Sequence, residues 1–422
     1  MADSKLNEIG VRLGVNRAVM ALSIARLGDA IGNSILIVVI PLYVAQLPSP
    51  VFPFPETVRV GILISIYGII SGILQPVMGG VSDRLGKRKL MIVIGLVVMA
   101  LGTAAFVFAH HFIDLLAYRL IQGIGVAVTV PASMAVLAAA TQKETRGSAM
   151  GVFSTMRMVG FATGPLIGGL LYDRYRFDVT FLVGTAFIIL GLILVLLWVD
   201  EVKPAIVPKQ KRGFRLFDRD LINISVLGAG FATFMMASDF SMISTLENQF
   251  NARLSQGAFG FGIAFSALMV SRLLFQVPLG RLSDRIGRRP LIIGGLLLMA
   301  PATLLLGWVA TTLELTGMRM VQGLASAAIA APAFALAADV SKEGGEGRQM
   351  SIVTMGFSLG IAIGPLFTGG LAVFSFTLPF IVAAVLTLLV SLIVYRYTPE
   401  TVGRTVDSPS SKSLKRRPVE GD

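Results

Sequence analysis

The 422 residues contain no cysteine and only two histidines. The first absence closes disulfide scaffolds, thiolate metal sites and thiol nucleophiles; the second leaves imidazole catalysis and His-cluster metal binding without material. Charge is also scarce, at 14% Asp, Glu, Lys and Arg, where soluble proteins carry about 25%. No H-E-x-x-H and no G-x-x-x-x-G-K-[ST] occurs, so a zinc-protease helix and a phosphate-binding loop for ATP are both excluded. The segment from Met1 to Glu8 has no cleavable-signal pattern, and the first apolar run is expected to stay as a span.

What is abundant is apolar surface: 55% hydrophobic residues and a mean hydropathy of +0.79. At about 20 apolar residues per crossing, the long runs place helices near 17–44, 58–82, 90–109, 112–141, 147–172, 178–199, 221–247, 257–283, 290–310, 313–340, 349–374 and 377–396. The expected fold is an all-α, multi-pass membrane protein of twelve helices. A net charge of +12 would suggest nucleic acid in a soluble chain, but its distribution says otherwise. On the side of the termini lie 27 Lys and Arg, on the other side 4, and 5 arginines stand inside spans. This asymmetry predicts cytoplasmic termini in a plasma (inner) membrane, with the lipid bilayer and not nucleic acid as the partner of the basic surface.

The chain repeats itself. G-G-V-S-D-R-L-G-K-R-K at 79–89 returns as G-R-L-S-D-R-I-G-R-R-P at 280–290, R-L-I-Q-G at 119–123 as R-M-V-Q-G at 319–323, and G-P-L-I-G-G at 164–169 as G-P-L-F-T-G-G at 364–370. The offsets are 201, 200 and 200 residues. Six helices separate the copies, so the two halves share one orientation, and a site is expected between them near mid-membrane. The expected organisation is an N-terminal segment 1–16, a six-helix bundle 17–199, a cytoplasmic linker 200–220, a second bundle 221–396 and a disordered basic tail 397–422.

With these motifs in place the chain resembles the major facilitator superfamily, and within it the twelve-helix drug:proton antiporters, over residues 15–400. Gly79, Asp83, Arg84, Gly86 and Arg88, with Gly280, Asp284, Arg285 and Gly287 in the second copy, match the family's G-x-x-x-D-R-x-G-R/K-R/K loop, with Val81 where Leu is usual. The resemblance implies that this loop latches the outward-open state against the eleventh helix. Arg119 and Gln122 match R-x-x-Q-G-x-G, whose arginine is tied to the proton site in proton-coupled relatives; Arg319 is its repeat mate. Gly160, Gly164, Pro165, Gly168 and Gly169 match the antiporter signature G-x-x-x-G-P-x-x-G-G, and Gly360, Gly364 and Pro365 repeat its geometry. Glycines four apart share one helix face and permit close packing.

Coupling requires a group that takes and releases a proton. Asp29 stands about 18 Å along the first helix at the helical rise, with Arg26 and Asn33 on its face. Asp239 on the seventh helix is the second carboxylate, and Glu247 and Asp339 read as solvated span ends. Arg157 and Arg272 also fall near mid-span, so span arginines outnumber span carboxylates and substrate charge stays open. The expected function is proton-driven efflux of a small amphipathic molecule by a monomer, with no cofactor and no metal, through rocking of the two halves. The alternative is proton-coupled uptake of a polar or anionic metabolite or sugar, for which Pro399-Glu400-Thr401 is a weak vote. A membrane sensor is remote, because no sizeable soluble output segment exists.

Overall fold

The computed structural model describes residues 16–142, 145–201, 224–340 and 346–401, without the side chains of Asp83, 346–349 and Ser351. The expected linker, basic tail and N-terminal segment therefore lie almost wholly outside the described residues. Eleven helices among those described are long and apolar enough to cross a membrane, and one of them, Arg146–Trp198, is interrupted at Arg176 by a non-helical backbone (φ 66°, ψ −154°). Divided there, the chain has twelve helical segments: α1 (Arg17–Gln46), α2 (Glu56–Leu85), α3 (Arg88–Ala104), α4 (Phe112–Ala140), α5 (146–175), α6 (177–198), α7 (Ile224–Leu254), α8 (Ala258–Ile286), α9 (Arg288–Leu305), α10 (Thr312–Asp339), α11 (Glu346–Ala372) and α12 (Leu378–Tyr397).

Most ends fall within a few residues of the sequence expectation, but α7 runs to Leu254. Its last stretch is a 3-10 turn, Ile243–Leu246, followed by the short helix Glu247–Leu254. That segment is polar enough to read as a loop, yet Glu247 and Phe250 are buried. The expectation of a solvated Glu247 is corrected accordingly: tertiary packing at the end of α7, not local composition, decides its environment.

Proline recurs at matching places, Pro76 with Pro278, Pro131 with Pro332 and Pro165 with Pro365, each inside a helix. Neighbouring helices supply the packing that tolerates such breaks in the hydrogen-bond ladder. Helix packing repeats too: α1 packs on α5, α2 on α4, α3 on α4 and α6, and in the second half α7 packs on α11, α8 on α10, α9 on α10 and α12. Glycine explains the closest contacts. A Cβ at Gly160, Gly164 or Gly168 would run into Leu27, Ile31, Ser34 or Ile35 of α1, and one at Gly356, Gly360 or Gly364 into Gly230, Phe234 or Ser238 of α7.

The halves meet through α2 on α11 and α5 on α8. Each cross-half hydrogen bond among the described residues lies at one end: Thr57 Oγ1 donates to the Gly369 carbonyl (3.0 Å), Asn248 Nδ2 to the Pro41 carbonyl (2.8 Å) and Glu56 Oε1 (2.5 Å), and the Ala258 and Phe259 amides to Asp173 (3.2 and 3.0 Å). The same end holds a pair of repeat-related contacts, Gly61 against the Pro365 carbonyl and Gly262 against the Pro165 carbonyl. Along α2 the approach to α11 loosens toward the end where the described chain begins and ends: a Cβ would stand 2.5 Å from Pro365 at Gly61, 3.3 Å from Ala362 at Gly68, and meet nothing within 4 Å at Gly72. The halves are sealed at the end remote from the termini and part toward the other.

Candidate substrate and coupling site

On the inner side of the first half, α1 presents Arg26, Asp29 and Asn33 one turn apart. Arg26 Nη1 and Asp29 Oδ2 form an ion pair, and the Arg26 guanidinium lies 5.8 Å from the Phe153 ring centre. Asp29 is 3% exposed. The small void beside the pair, lined by Arg26, Asp29, Thr129 and Ser133 among others, measures about 10 Å³, close to the least that one water needs. Asn33 joins this pair to α2 and α4: its Nδ2 donates to Tyr67 Oη (3.0 Å), and its Oδ1 accepts from Arg119 Nη1 (3.2 Å). Arg119 also donates to Gln122 Oε1 (3.2 Å), and Gln122 Nε2 to Thr103 Oγ1 (2.8 Å). Arg26 and Asp29 thus form one pair, and Asn33, Arg119 and Gln122 one hydrogen-bonded chain beside it. Tyr67 and Thr103 complete the network and had no sequence signal beyond being polar on apolar helices.

The second half copies part of this. Arg319 Nη1 donates to Gln322 Oε1 (2.7 Å), Gln322 Nε2 to Thr303 Oγ1 (2.9 Å), and Arg319 Nη2 to the Phe240 carbonyl (3.4 Å). Here the chain ends on Asp239, whose Oδ2 accepts from Thr303 (3.2 Å) and Thr387 (3.1 Å). Asp239, expected with the central cavity, is fully buried within the second half, directed to α9 and α12 and away from α2 and α5. The physical reason is register: Asp239 stands where α1 carries Gly32, the position that packs on the last helix of its half, and so meets Thr387 of α12 and Thr303 of α9.

Arg157 on α5 and Arg272 on α8 are half-buried. Each rests near an aromatic ring, Arg157 at 5.4 Å from Phe161 and Arg272 at 5.9 Å from Phe357. All five span arginines have such a ring within 6 Å, an arrangement that partly replaces lost hydration.

The motif loops sit at the open end. Asp284 and Arg288 form an ion pair, Arg288 Nε donates to Asp339 (3.2 Å), and Arg88 Nη1 donates to the Ala135 carbonyl (3.3 Å). Arg84 and Arg285 are exposed, Gly86 and Gly287 take positive φ (64° and 109°) to turn the chain, and Gly79 and Gly280 face Pro131 and Ala331 of their own halves. These bonds each stay within one half, and the Asp83 side chain lies outside the described residues. Sequence reasoning also missed what anchors these loops. Glu400 accepts from the Arg288 and Arg289 amides (2.9 and 3.0 Å), capping α9, and Glu201 accepts from the Lys89 amide (3.1 Å) at the start of α3. The Pro-Glu-Thr ending thus supplies a helix cap. The string Gly356-Phe357-Ser358-Leu359-Gly360 spells G-x-S-x-G but lies inside α11, not at the strand-to-helix turn that a nucleophile elbow needs.

Two internally repeated helical halves that bury charge between short loops define a multi-pass membrane transporter. The chain belongs to the Major Facilitator Superfamily, whose profile matches residues 22–247 and 226–420. It is similar to the multi-drug resistance efflux pump PmrA homolog of Lactococcus lactis subsp. lactis (28% identity over 321 residues, 74% of this chain and 78% of the relative). It is also similar to PmrA of Streptococcus pneumoniae serotype 4 (26% over 311 residues, 72% and 77%) and to the multidrug resistance protein MdtG of Escherichia coli O9:H4 (28% over 302 residues, 70% and 73%). In fold it matches a bacterial homolog of the human lysosomal transporter Spinster (TM-score 0.74, 16% identity, 89% of this chain and 95% of that one) and the nucleoside transporter NupG (TM-score 0.76, 12% identity, 90% and 100%). It is a multi-pass membrane protein, in bacteria of the plasma membrane.

Proposed function

We propose that the chain exports small amphipathic molecules in exchange for protons by alternating access, acting as a monomer with both termini in the cytoplasm. The observation that carries the reading is the seal at one end only, placed over a buried Arg26–Asp29 pair at mid-depth. Because 27 of the Lys and Arg lie on the side of the termini, the open end faces the cytoplasm and the state is loaded from inside. The halves 17–199 and 221–396 rock about the shared site, with 200–220 as their tether. Protonation of Asp29 releases Arg26 from its ion pair; Arg26 then turns to Phe153 or to substrate, and Arg119 senses the change through Asn33. In this reading the motif loops latch against α11 on closure toward the cytoplasm. The named activities of PmrA and MdtG support efflux over uptake. No reaction on substrate is proposed, since binding and rocking suffice.

The test is flux in membrane vesicles of both orientations under an imposed pH gradient. Uptake into inverted vesicles with an acidic lumen is the expected result; accumulation only in right-side-out vesicles with an acidic exterior would replace efflux by uptake. Asp29→Asn is expected to abolish gradient-driven flux while leaving substrate exchange at equal pH. Full driven flux in that variant removes Asp29 from coupling.

A further inference from the structure

The five span arginines are not equivalent. Arg26 is paired with Asp29, Arg119 is engaged by Asn33 and Gln122, and Arg319 by Gln322 and the Phe240 carbonyl. Arg157 and Arg272 have no hydrogen bond and no ion pair among the described residues; the Nε atoms of Arg26, Arg119, Arg272 and Arg319 are all buried without a partner, so what sets this pair apart is that no other guanidinium nitrogen is engaged either. An unpaired guanidinium inside a bilayer is expensive and marks a ligand or ion path.

Their placement makes the pair significant. α5 and α8 run in opposite directions and touch at the sealed end, where Gly262 packs on the Pro165 carbonyl and Gly169 on Phe259. Arg157 lies eight residues from Pro165 toward the open end, and Arg272 ten from Gly262. At the helical rise these are about 12 and 15 Å, the same depth to within a turn, one on each half. Arg26, Tyr67, Asp29 and Arg272 are the charged and titratable groups near Arg157, so the Asp29 carboxylate, itself held by Arg26, is the one anion that shares its surroundings. Two cations at one depth on opposite halves oppose the approach of those halves, and the opposition is strongest where water is excluded.

Resting on the efflux reading above, we propose that the exported molecule carries an anionic group, a carboxylate, sulfonate or phosphate, and that Arg157 and Arg272 grip it from opposite halves. A guanidinium fork suits such oxyanions in bidentate geometry. Phe161 and Phe357 offer flat apolar faces beside the forks, so the rest of the molecule is aromatic or otherwise apolar. The anion does more than bind: by neutralising both arginines it makes the closed arrangement accessible, so loading and rocking are coupled through one interaction. A ligand drives a conformational change only through its differential affinity for the two states, and here that difference is the repulsion it removes.

Three probes with one body and three charges test this: naphthalene-1-sulfonate, 1-naphthalenemethanol and 1-naphthylmethylammonium. Equilibrium binding to the purified full chain in phosphatidylcholine nanodiscs is measured first, then energised uptake into inverted vesicles. Saturable sulfonate binding is expected, with the alcohol and the ammonium at least tenfold weaker. Arg157→Gln and Arg272→Gln should each weaken the sulfonate by about tenfold or more, as loss of a charge-assisted bond does, and leave the alcohol unchanged. Arg157→Lys and Arg272→Lys, which preserve charge if the glutamines do not fold, should retain most of the affinity. Equal or tighter binding of the ammonium, or no saturable sulfonate binding, overturns the proposal. So does phosphatidylglycerol that survives purification on the arginine pair while the sulfonate fails to bind, which assigns the pair to lipid. Arginine-dependent sulfonate binding without proton-driven uptake would instead sink the efflux reading and leave the anion site standing; driven export of the ammonium alone would do the reverse.

Discussion

Two of the glycines that close the seal at the remote end, Gly61 and Gly262, have no room for a methyl group, and adding one to each should loosen it. An ideal Cβ on Gly61 would stand 2.5 Å from the Pro365 carbonyl oxygen, and one on Gly262 would come as close to the Pro165 carbonyl, where ordinary contact begins at 3.4 Å. Both obstacles are backbone atoms, so no side chain can turn aside and the helices must part by roughly 0.9 Å at each site. Overpacking of this kind costs about 1–3 kcal/mol per site, which is a shift of about 5- to 150-fold in the ratio of sealed to unsealed molecules. The two contacts sit on opposite sides of the cleft and involve different helices, so their effects should add. The chain has no cysteine, and Val51 and Phe374, both exposed at the sealed end and one on each half, can be made the only two thiols and spin-labelled. In Gly61→Ala with Gly262→Ala, the distance between labels should gain a longer population that the parent lacks, while Gly72→Ala, with nothing within 4 Å of its Cβ, should change nothing. An unaltered distance distribution in the double variant, or an equal change in the control, refutes the account of the seal.

The remaining predictions concern polar groups. Thr303→Val leaves Gln322 Nε2 and Asp239 Oδ2 each short of a partner, a loss of about 1–3 kcal/mol, whereas Thr103→Val deprives only Gln122 of a partner because Thr103 donates to the Met99 carbonyl; the thermal midpoint in detergent should fall further for Thr303→Val. Glu400→Ala should lower the midpoint by the loss of a helix cap, about 1 kcal/mol, and Gly287→Ala by more, since its φ of 109° is strained for alanine and its Cβ would meet the Glu400 carboxylate. Asn248→Ala removes the bonds to Pro41 and Glu56, so maleimide labelling of a cysteine placed at Thr57 should quicken.

How much of this was legible depends on whether a residue's role is local. The Gly160, Gly164 and Gly168 stripe is periodic, so its close packing could be read directly, and α1 proved to be the partner. In Gly168-Gly169 the letters are identical, yet Gly168 packs on Ile35 in its own half and Gly169 on Phe259 in the other; which glycine crosses is fixed by the rotation of α5, which no spacing reveals. The burial of Glu247 is not legible because Glu247–Leu254 is mostly polar, and its cover comes from tertiary packing: Phe250 packs on Phe261, Phe376 and Phe380 of its own half while Asn248 bonds across to Pro41 and Glu56. Thr103, Thr303 and Thr387 were invisible because a threonine on an apolar helix most often satisfies its own backbone. Glu201 and Glu400 carried a signal that went unused: both follow the last helix of a half and stand 199 residues apart, nearly the repeat distance.

The repeat also shows where the halves cease to be copies. Ala30 faces Gly160 as Ala237 faces Gly360, so positions on α7 correspond to those on α1 at a separation of 207 residues. By that register Asp29 corresponds to Met236, Asn33 to Phe240, and Asp239 to Gly32, which packs on the Gly184 carbonyl of α6. The first half therefore places its carboxylate against Arg26, beside the chain of bonds from Tyr67 through Asn33 to Arg119. The second fills the same place with methionine and sets its own carboxylate against threonines on α9 and α12. Scaffold contacts made by glycine and proline obey the symmetry because both halves must slide on the same surfaces. The charges break it, and under the proposed proton exchange the reason is that a proton handled once per cycle requires one site, where a twofold arrangement would present two.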